Sequence, residues 1–150
     1  MDRTEKVELT TLVMVTDKDG RMLVQNRLDP NWGGICFPGG HVERNESFVR
    51  AAIREVYEET GLTIENPKLC GIKQFPIEGG RYLVLFFKTD HYSGTLRDSE
   101  EGPVFWAFPN ELENYRLTDN FLEMVDIFCS DEQTEFFWFL EKNQWKFEIL

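Results

Sequence analysis

The segment from 47 to 60 constrains the chain most, because its pattern predicts one amphipathic helix with acids gathered at its C-terminal end. Ser47 is the predicted N-cap and Gly61 the predicted C-terminal stop. The apolar residues recur at i, i+1, i+4, i+5 and i+8, which places them on a single stripe: Phe48, Val49, Ala52, Ile53 and Val56. We therefore predict a helix that presents one apolar face to the rest of the fold.

Three carboxylates crowd the last turn of this predicted helix. Glu55, Glu58 and Glu59 stand at i, i+3 and i+4 and project from one side. A helix C-terminus already carries about half a negative charge, and each like-charge pair costs about 0.2–0.5 kcal/mol more. A solvated acidic helix end is the simpler interpretation, whereas a bound cation would explain why a local rule is broken. Carboxylates without His or Cys partners favour Mg²⁺, or Mn²⁺ as the alternative, over zinc.

Strands and turns surround this helix and predict one domain, residues 1–150, with an α/β fold built around a mixed β-sheet. Three hairpins are predicted: 9–16 with 22–25, 69–77 with 82–88, and 135–140 with 145–150. A short strand at 104–108 precedes a helical turn, and Asp119 or Asn120 is expected to cap a helix that runs to Phe128. The aromatic C-terminal strands either close the core or face a second subunit in a homodimer.

The composition limits the partners. The chain has 27 acidic and 16 basic side chains, a net charge of −11, which argues against nucleic acid and anionic membranes. A small polyphosphate is still compatible when metal ions screen the charge. Cys36, Cys70 and Cys129 are an odd number without CxxC spacing, which predicts reduced thiols. The charged N-terminus has no apolar signal core and no run reaches transmembrane length, so we expect the cytoplasm.

The segment from 40 to 62 also fits a fixed pattern: Gly, five residues, Glu, seven residues, Arg-Glu, an aliphatic, any residue, Glu-Glu, any residue, Gly, an aliphatic. The matching positions are Gly40, Glu46, Arg54, Glu55, Val56, Glu58, Glu59, Gly61 and Leu62. A chance match in such a chain is on the order of one in ten million at ordinary residue frequencies. The chain therefore resembles the Nudix hydrolases, and the resemblance covers most of the domain. It implies a Nudix-type α/β/α sandwich.

The resemblance implies hydrolysis of a nucleoside diphosphate linked to another moiety, with divalent metals as cofactors. Glu55, Glu58, Glu59 and the Gly39 carbonyl would be the metal ligands. Glu46 would support the loop and pair with Arg54, with Gly40 and Gly61 as structural positions. The general base would be Glu101, or Glu100 beside it, in the loop ahead of Trp106, unless Glu58 or Glu59 takes the proton itself.

Within the family the chain looks most like the MutT-type branch, which cleaves oxidised purine triphosphates such as 8-oxo-dGTP to the monophosphate and pyrophosphate. Five residues would bind this nucleotide: Arg27, Phe37, Arg81, Asp119 and Asn120. Each also has a plain structural interpretation, as exposed strand arginines, a core phenylalanine and helix caps. ADP-ribose or a nucleotide sugar is the alternative substrate. A non-catalytic nucleotide-binding domain is disfavoured because no glutamate of the pattern is lost.

Overall fold

The computed structural model of the protein describes all 150 residues. Ten strands, two α-helices and one 3₁₀ turn at Pro109–Asn114 make up the fold. The strands are β1 (Lys6–Val15), β2 (Met22–Arg27), β3 (Gly34–Cys36), β4 (Leu62–Ile64), β5 (Lys68–Ile77), β6 (Gly80–Thr89), β7 (Tyr92–Gly94), β8 (Val104–Ala107), β9 (Glu135–Glu141) and β10 (Gln144–Ile149); the helices are α1 (Phe48–Thr60) and α2 (Phe121–Cys129). Neither helix is long and apolar enough to cross a membrane.

A five-stranded mixed sheet forms the centre, in the order β1-β6-β5-β9-β10. The β1/β6 and β5/β9 pairs are parallel, and the β5/β6 and β9/β10 pairs are antiparallel. A smaller sheet has the order β3-β2-β8, and β4 pairs with β7. The fold is therefore a mixed α/β architecture, as the sequence predicts.

The two helices cover opposite faces of the central sheet, and alternation along β6 shows the division. Leu83 and Leu85 pack in the apolar cluster that contains the α1 residues Ala52 and Val56. The intervening Val84 and Phe86 pack in a second cluster, which contains Phe121, Met124 and Phe128 of α2. A side chain on this sheet therefore faces either α1 or α2 according to its parity in the strand.

Helix α1 has the predicted limits. The Ser47 hydroxyl accepts a hydrogen bond from the Arg50 N–H at 3.3 Å. At the other end, Gly61 adopts a left-handed φ of +81° and its N–H donates to the Tyr57 carbonyl at 2.9 Å. A residue without a Cβ penalty is favoured in this conformation, which is why the helix stops here. The prediction of this helix is confirmed.

The first predicted hairpin is wrong, although its turn is correct. The Asp17 carboxylate accepts from the Arg21 N–H at 2.8 Å and closes the turn. Beyond a single bridge between Thr16 and Met22 the two strands part: β1 pairs with β6, whereas β2 pairs with β3 and β8. The chain reverses as predicted, but its two arms enter different sheets. The other two hairpins are confirmed.

Candidate active site

The predicted acids meet in one cleft, with a cavity volume of about 380 Å³. The C-terminal end of α1 forms one wall and the loop before β8 forms the other. Seven residues line the cleft, none of them hydrophobic: Glu55, Glu58, Glu59, Arg97, Ser99, Glu100 and Glu101. The loop is fixed by an Asp98 carboxylate that accepts from the Val104 N–H at 3.0 Å, and by the Leu28 N–H, which donates to the Glu101 carbonyl at 3.1 Å.

Glu59 is the buried carboxylate of the cleft. Its Oε2 accepts a hydrogen bond from the Gly39 N–H at 3.1 Å. The pKa of Glu59 is raised to about 7, chiefly by burial and also by the charges of Glu55 and Glu101, against the opposing effects of the Gly39 hydrogen bond and Arg27. The carboxylates of Glu59, Glu55 and Glu101 repel one another, and a bound cation would reduce this repulsion.

The Gly39 carbonyl is available beside Glu59. The carbonyls on either side of it, from Pro38 and Gly40, accept hydrogen bonds from β1 at 2.8 Å, donated by Val13 and Thr11. The Gly39 carbonyl between them accepts no backbone hydrogen bond. A free carbonyl oxygen next to a buried carboxylate suits a hard cation.

Arg54 organises the remaining carboxylates. Its guanidinium donates to Glu46 at 2.7 and 2.9 Å, to Glu55 at 2.8 Å, to Glu58 at 3.2 Å and to the His41 carbonyl at 3.0 Å. These bonds raise the pKa of Arg54 and lower the pKa of Glu46 to about 2. The ion pair predicted between Glu46 and Arg54 is therefore present.

The donor chemistry of the cleft fits a divalent cation. The groups that could ligate it are the cleft carboxylates and the nearby Gly39 carbonyl, without His or Cys, which is a hard oxygen set. No three acidic, His or Cys side chains are already arranged to hold a metal ion. Arg54 engages Glu55 and Glu58 and so offsets part of the negative charge of these two carboxylates.

Arg27, the last residue of β2, acts electrostatically on one carboxylate of the acidic cleft and on Tyr82 of the central sheet. Its positive charge lowers the pKa of Glu59, of the Cys36 thiol and of the Tyr82 phenol, although burial raises all three. The Arg27 Nε is buried and has no hydrogen-bond partner. A buried donor without a partner is costly, and an anionic ligand would relieve that cost.

Phe37 is wrongly predicted as a substrate-stacking residue. Its side chain is fully buried and makes edge contacts with Phe121 at 4.9 Å and Phe128 at 5.1 Å between ring centres. It therefore offers no free face to a base. The plain interpretation, a core phenylalanine, is correct.

Arg81 lies on the opposite side of the central sheet from Asp119 and Asn120. By alternation it lies on the α1 face with Leu83, whereas Asp119 and Asn120 immediately precede α2. Its guanidinium is engaged by the Glu5 carboxylate, and Nη1 donates to the Gln74 side chain at 2.8 Å. The structure therefore does not assemble Arg81 into one pocket with those two residues.

The capping interpretation of Asn120 is only partly correct. Asn120 occupies the N-cap position of α2 with a left-handed φ of +60°, but its side chain makes no capping hydrogen bond. Asp119 beside it is exposed. Both side chains stay available, and substrate contact by them stays a prediction.

Two residues without a local sequence signal were not predicted: Arg97, which lines the cleft, and Lys73 on β5, which is not among the lining residues. The Arg97 guanidinium donates to the carbonyls of Tyr57 at 3.0 Å and Glu58 at 3.2 Å, which ties the loop to the end of α1. Lys73 lies largely buried among aromatic rings on the α2 face.

Proteins similar to this chain are known. The NUDIX domain model matches residues 6–141. Over 112 residues, 71% of this chain and 68% of the relative, the sequence is 38% identical to YvcI, a Nudix hydrolase of Bacillus subtilis (strain 168). It is 33% identical over 105 residues to the oxidized purine nucleoside triphosphate hydrolase of Danio rerio, covering 66% of this chain and 65% of that protein.

Solved structures with a similar fold are also known. The mutator MutT protein from Bacillus halodurans superposes with a TM-score of 0.76 over 94% of this chain and 97% of that one, at 22% identity.

An ADP-ribose pyrophosphatase of Methanocaldococcus jannaschii is 31% identical in sequence over 97 residues, 61% of this chain and 57% of that protein.

Proposed function

The chain belongs to the NUDIX domain family, and we propose that it hydrolyses a nucleoside triphosphate to the monophosphate and pyrophosphate with Mg²⁺ as cofactor. The proposed substrates are oxidised purine nucleotides such as 8-oxo-dGTP, in sanitation of the nucleotide pool. One observation carries the proposal: the carboxylates of the α1 end and of the loop before β8 line a single cleft.

Glu55, Glu58, Glu59 and the Gly39 carbonyl would hold the metal ions. When bound, these ions neutralise the diphosphate and lower the pKa of the attacking water. Glu101 would accept the proton, with Glu100 as the alternative, because both line the same cleft as the ligands. Arg27 would donate its free Nε to a phosphate oxygen.

The similarity to the Danio rerio hydrolase supports an oxidised purine substrate. The similarity to the Methanocaldococcus jannaschii ADP-ribose pyrophosphatase favours a second candidate, hydrolysis of ADP-ribose, by the same cleft chemistry. We propose a cytoplasmic location, and the free thiols of Cys36, Cys70 and Cys129 support it because thiols stay reduced there.

The test is product release with Mg²⁺ over 8-oxo-dGTP, dGTP, dATP, ADP-ribose and a nucleotide sugar. Glu58→Gln is the inactivating variant, since this side chain is half exposed and its exchange should leave the fold intact. Glu123→Gln, in the first turn of α2, is the matched control. We expect a preference for 8-oxo-dGTP, a loss of about 100-fold or more in kcat for Glu58→Gln, and wild-type activity for the control.

A preference for ADP-ribose would replace the first candidate by the second. Turnover that survives Glu58→Gln, or the absence of turnover on every substrate, would contradict the hydrolase assignment of the cleft.

A further inference from the structure

Lys73 occupies an unusual environment on β5. Its Nζ lies 5.3 Å from the ring centres of Phe136 and Trp138 and 5.8 Å from that of Phe75. The side chain is largely buried, and none of the salt bridges of the structure includes it. Aromatic faces stabilise a cation but accept no conventional hydrogen bond, so the three N–H donors of Lys73 are left for another group.

The strand register shows which way Lys73 faces. Lys73 pairs with Val84 of β6 and with Phe136 of β9, and both of these pack in the cluster of α2. Lys73 therefore projects to the α2 face, towards the chain segment that leads into α2. The negative charge of Asp119 in that segment acts on Lys73 and partly offsets the lowering of its pKa by burial.

The rings of Tyr82, Phe75 and Trp138 form an aromatic surface that extends from Lys73 towards the acidic cleft. Tyr82 stacks on Phe75 with ring centres 4.8 Å apart, and Phe75 meets Trp138 edge-on at 5.5 Å. Tyr82 pairs with Phe75 on the adjacent strand, and Lys73 lies two residues from Phe75 along β5. Because adjacent strands are about 4.8 Å apart and a strand rises about 3.4 Å per residue, Tyr82 and Lys73 lie within the length of one nucleoside. The ring centre of His41 lies 6.3 Å from that of Tyr82. The His41 carbonyl accepts a hydrogen bond from Arg54, which also donates to Glu55 of the cleft, so the aromatic surface ends beside the acidic cleft.

From this arrangement we infer that Lys73 is a specificity-determining residue, which donates a hydrogen bond to an edge carbonyl oxygen of the substrate's base. The inference rests on the proposed function and deepens it. A nucleotide with its phosphates at the acidic cleft and Arg27 would extend its base along Tyr82 and Phe75 to Lys73.

The hydrogen-bonding groups of Lys73 and Asp119 together select one kind of base edge. Lys73 is a donor only, whereas the Asp119 carboxylate is an acceptor only. A guanine-type edge presents the complementary set, with an O6 acceptor beside N–H donors. An adenine-type edge presents an amino group at the same position, which leaves the ammonium without a partner. A site of this kind rejects the base that lacks the matching group.

The test compares two substrates that differ at this edge: dGTP, and the 2-aminopurine deoxyribonucleoside triphosphate, which lacks O6. Lys73→Met removes the ammonium while keeping the length and apolar stem of the side chain. Lys73→Arg restores a donor. Lys68→Met, an exposed lysine on the same strand, is the matched control for the lost charge.

For Lys73→Met we expect kcat/KM on dGTP to fall about 10–100-fold, mainly through KM, since a hydrogen bond from a charged donor is lost. Activity on the 2-aminopurine substrate should change less than about 2-fold by the same reasoning. Lys73→Arg should recover part of the preference for dGTP, and Lys68→Met should match the wild type.

Equal losses on both substrates, or no loss on either, would overturn the role of Lys73. Binding of dGMP and 2-aminopurine deoxyribonucleoside monophosphate, measured by calorimetry without metal, separates this inference from the proposed function. If the wild type binds dGMP more tightly and Lys73→Met loses that preference, the inference stands even where no triphosphate is hydrolysed. If the wild type hydrolyses dGTP and neither binding nor kinetics respond to Lys73, the inference fails and the hydrolase remains.

Discussion

The carboxylate of Glu55 lies directly against the α-carbon of Gly40: a Cβ built on this glycine would stand 2.5 Å from Oε2 and 2.7 Å from Oε1 of Glu55. The neighbouring glycine has a different surrounding, since a Cβ on Gly39 would collide with the backbone carbonyl of Thr11 in β1. One position is closed by the movable end of a cleft carboxylate, and the other by a strand of the central sheet.

Gly40→Ala should therefore impair the chemistry more than the fold. The added methyl group pushes Glu55 aside, and a displacement of about 1 Å in a catalytic group can cost about 100-fold in rate. We expect kcat with Mg²⁺ to fall by about that factor while the melting temperature stays within a few degrees of the wild type.

Gly39→Ala is the control for this prediction, because it should lower the melting temperature strongly by forcing β1 away. If Gly40→Ala unfolds as readily as Gly39→Ala, Glu55 cannot move as described. If Gly40→Ala keeps full activity, the position of Glu55 is not needed for turnover.

Arg97 should stabilise both walls of the cleft. Its guanidinium satisfies the Tyr57 and Glu58 carbonyls at the end of α1 and lies 5.5 Å from the Tyr57 ring. Arg97→Met keeps the apolar stem but leaves both carbonyls to water, so we expect a loss of about 1–2 kcal/mol in the free energy of unfolding in urea. The same variant should lower kcat, because the loop with Glu101 is no longer tied to α1. Arg44→Met, at an exposed arginine, should change neither quantity.

The sequence predicts α1 and its three cleft glutamates because all the signals lie within fifteen residues. Period, N-cap and terminal glycine are local, and Glu55, Glu58 and Glu59 share a side by helix geometry alone. The pairing of β1 cannot be obtained in this way. Its partner β6 lies about seventy residues further along the chain, and a correct turn after Val15 does not say which sheet the next strand joins.

The side chains on strands were harder to predict for a related reason. Whether a strand residue faces α1 or α2 depends on register, and a shift of one residue reverses the answer. Arg81 and Tyr82 are neighbours in sequence, yet Tyr82 lies on the α2 face and Arg81 does not. Arg97 and Lys73 make contacts with partners distant in the chain, so no local pattern marks them.

Phe37→Ala should destabilise the protein rather than change its substrate preference. The ring is fully buried against Phe121 and Phe128, and removing a buried phenylalanine costs about 3–5 kcal/mol in the free energy of unfolding. Phe48→Ala, whose ring is 45% exposed, should cost about 1 kcal/mol or less. Denaturant unfolding measures both. A rise in KM for 8-oxo-dGTP in Phe37→Ala without loss of stability would return Phe37 to the binding site.

The Glu46–Arg54 ion pair should make part of the stability depend on pH. The hydrogen bond from Arg54 lowers the pKa of Glu46 from 4.5 to about 2. Because the folded pKa lies below the unfolded one, the contribution is fully present above about pH 4.5 and is lost progressively as the pH falls towards 2. Glu46→Gln removes the charge but keeps an oxygen for the Glu43 N–H, which donates to Oε1 at 3.0 Å.

We therefore expect Glu46→Gln to lower the free energy of unfolding by about 1.5–3 kcal/mol at pH 7, the range for hydrogen bonds between charged groups. The gap between wild type and variant should narrow between pH 4.5 and pH 3, when urea unfolding is measured at each pH. Glu43→Gln, at an exposed carboxylate three residues earlier, serves as the control for a simple loss of negative charge. A gap that stays constant from pH 7 to pH 3 would mean that Glu46 stabilises the loop without its charge.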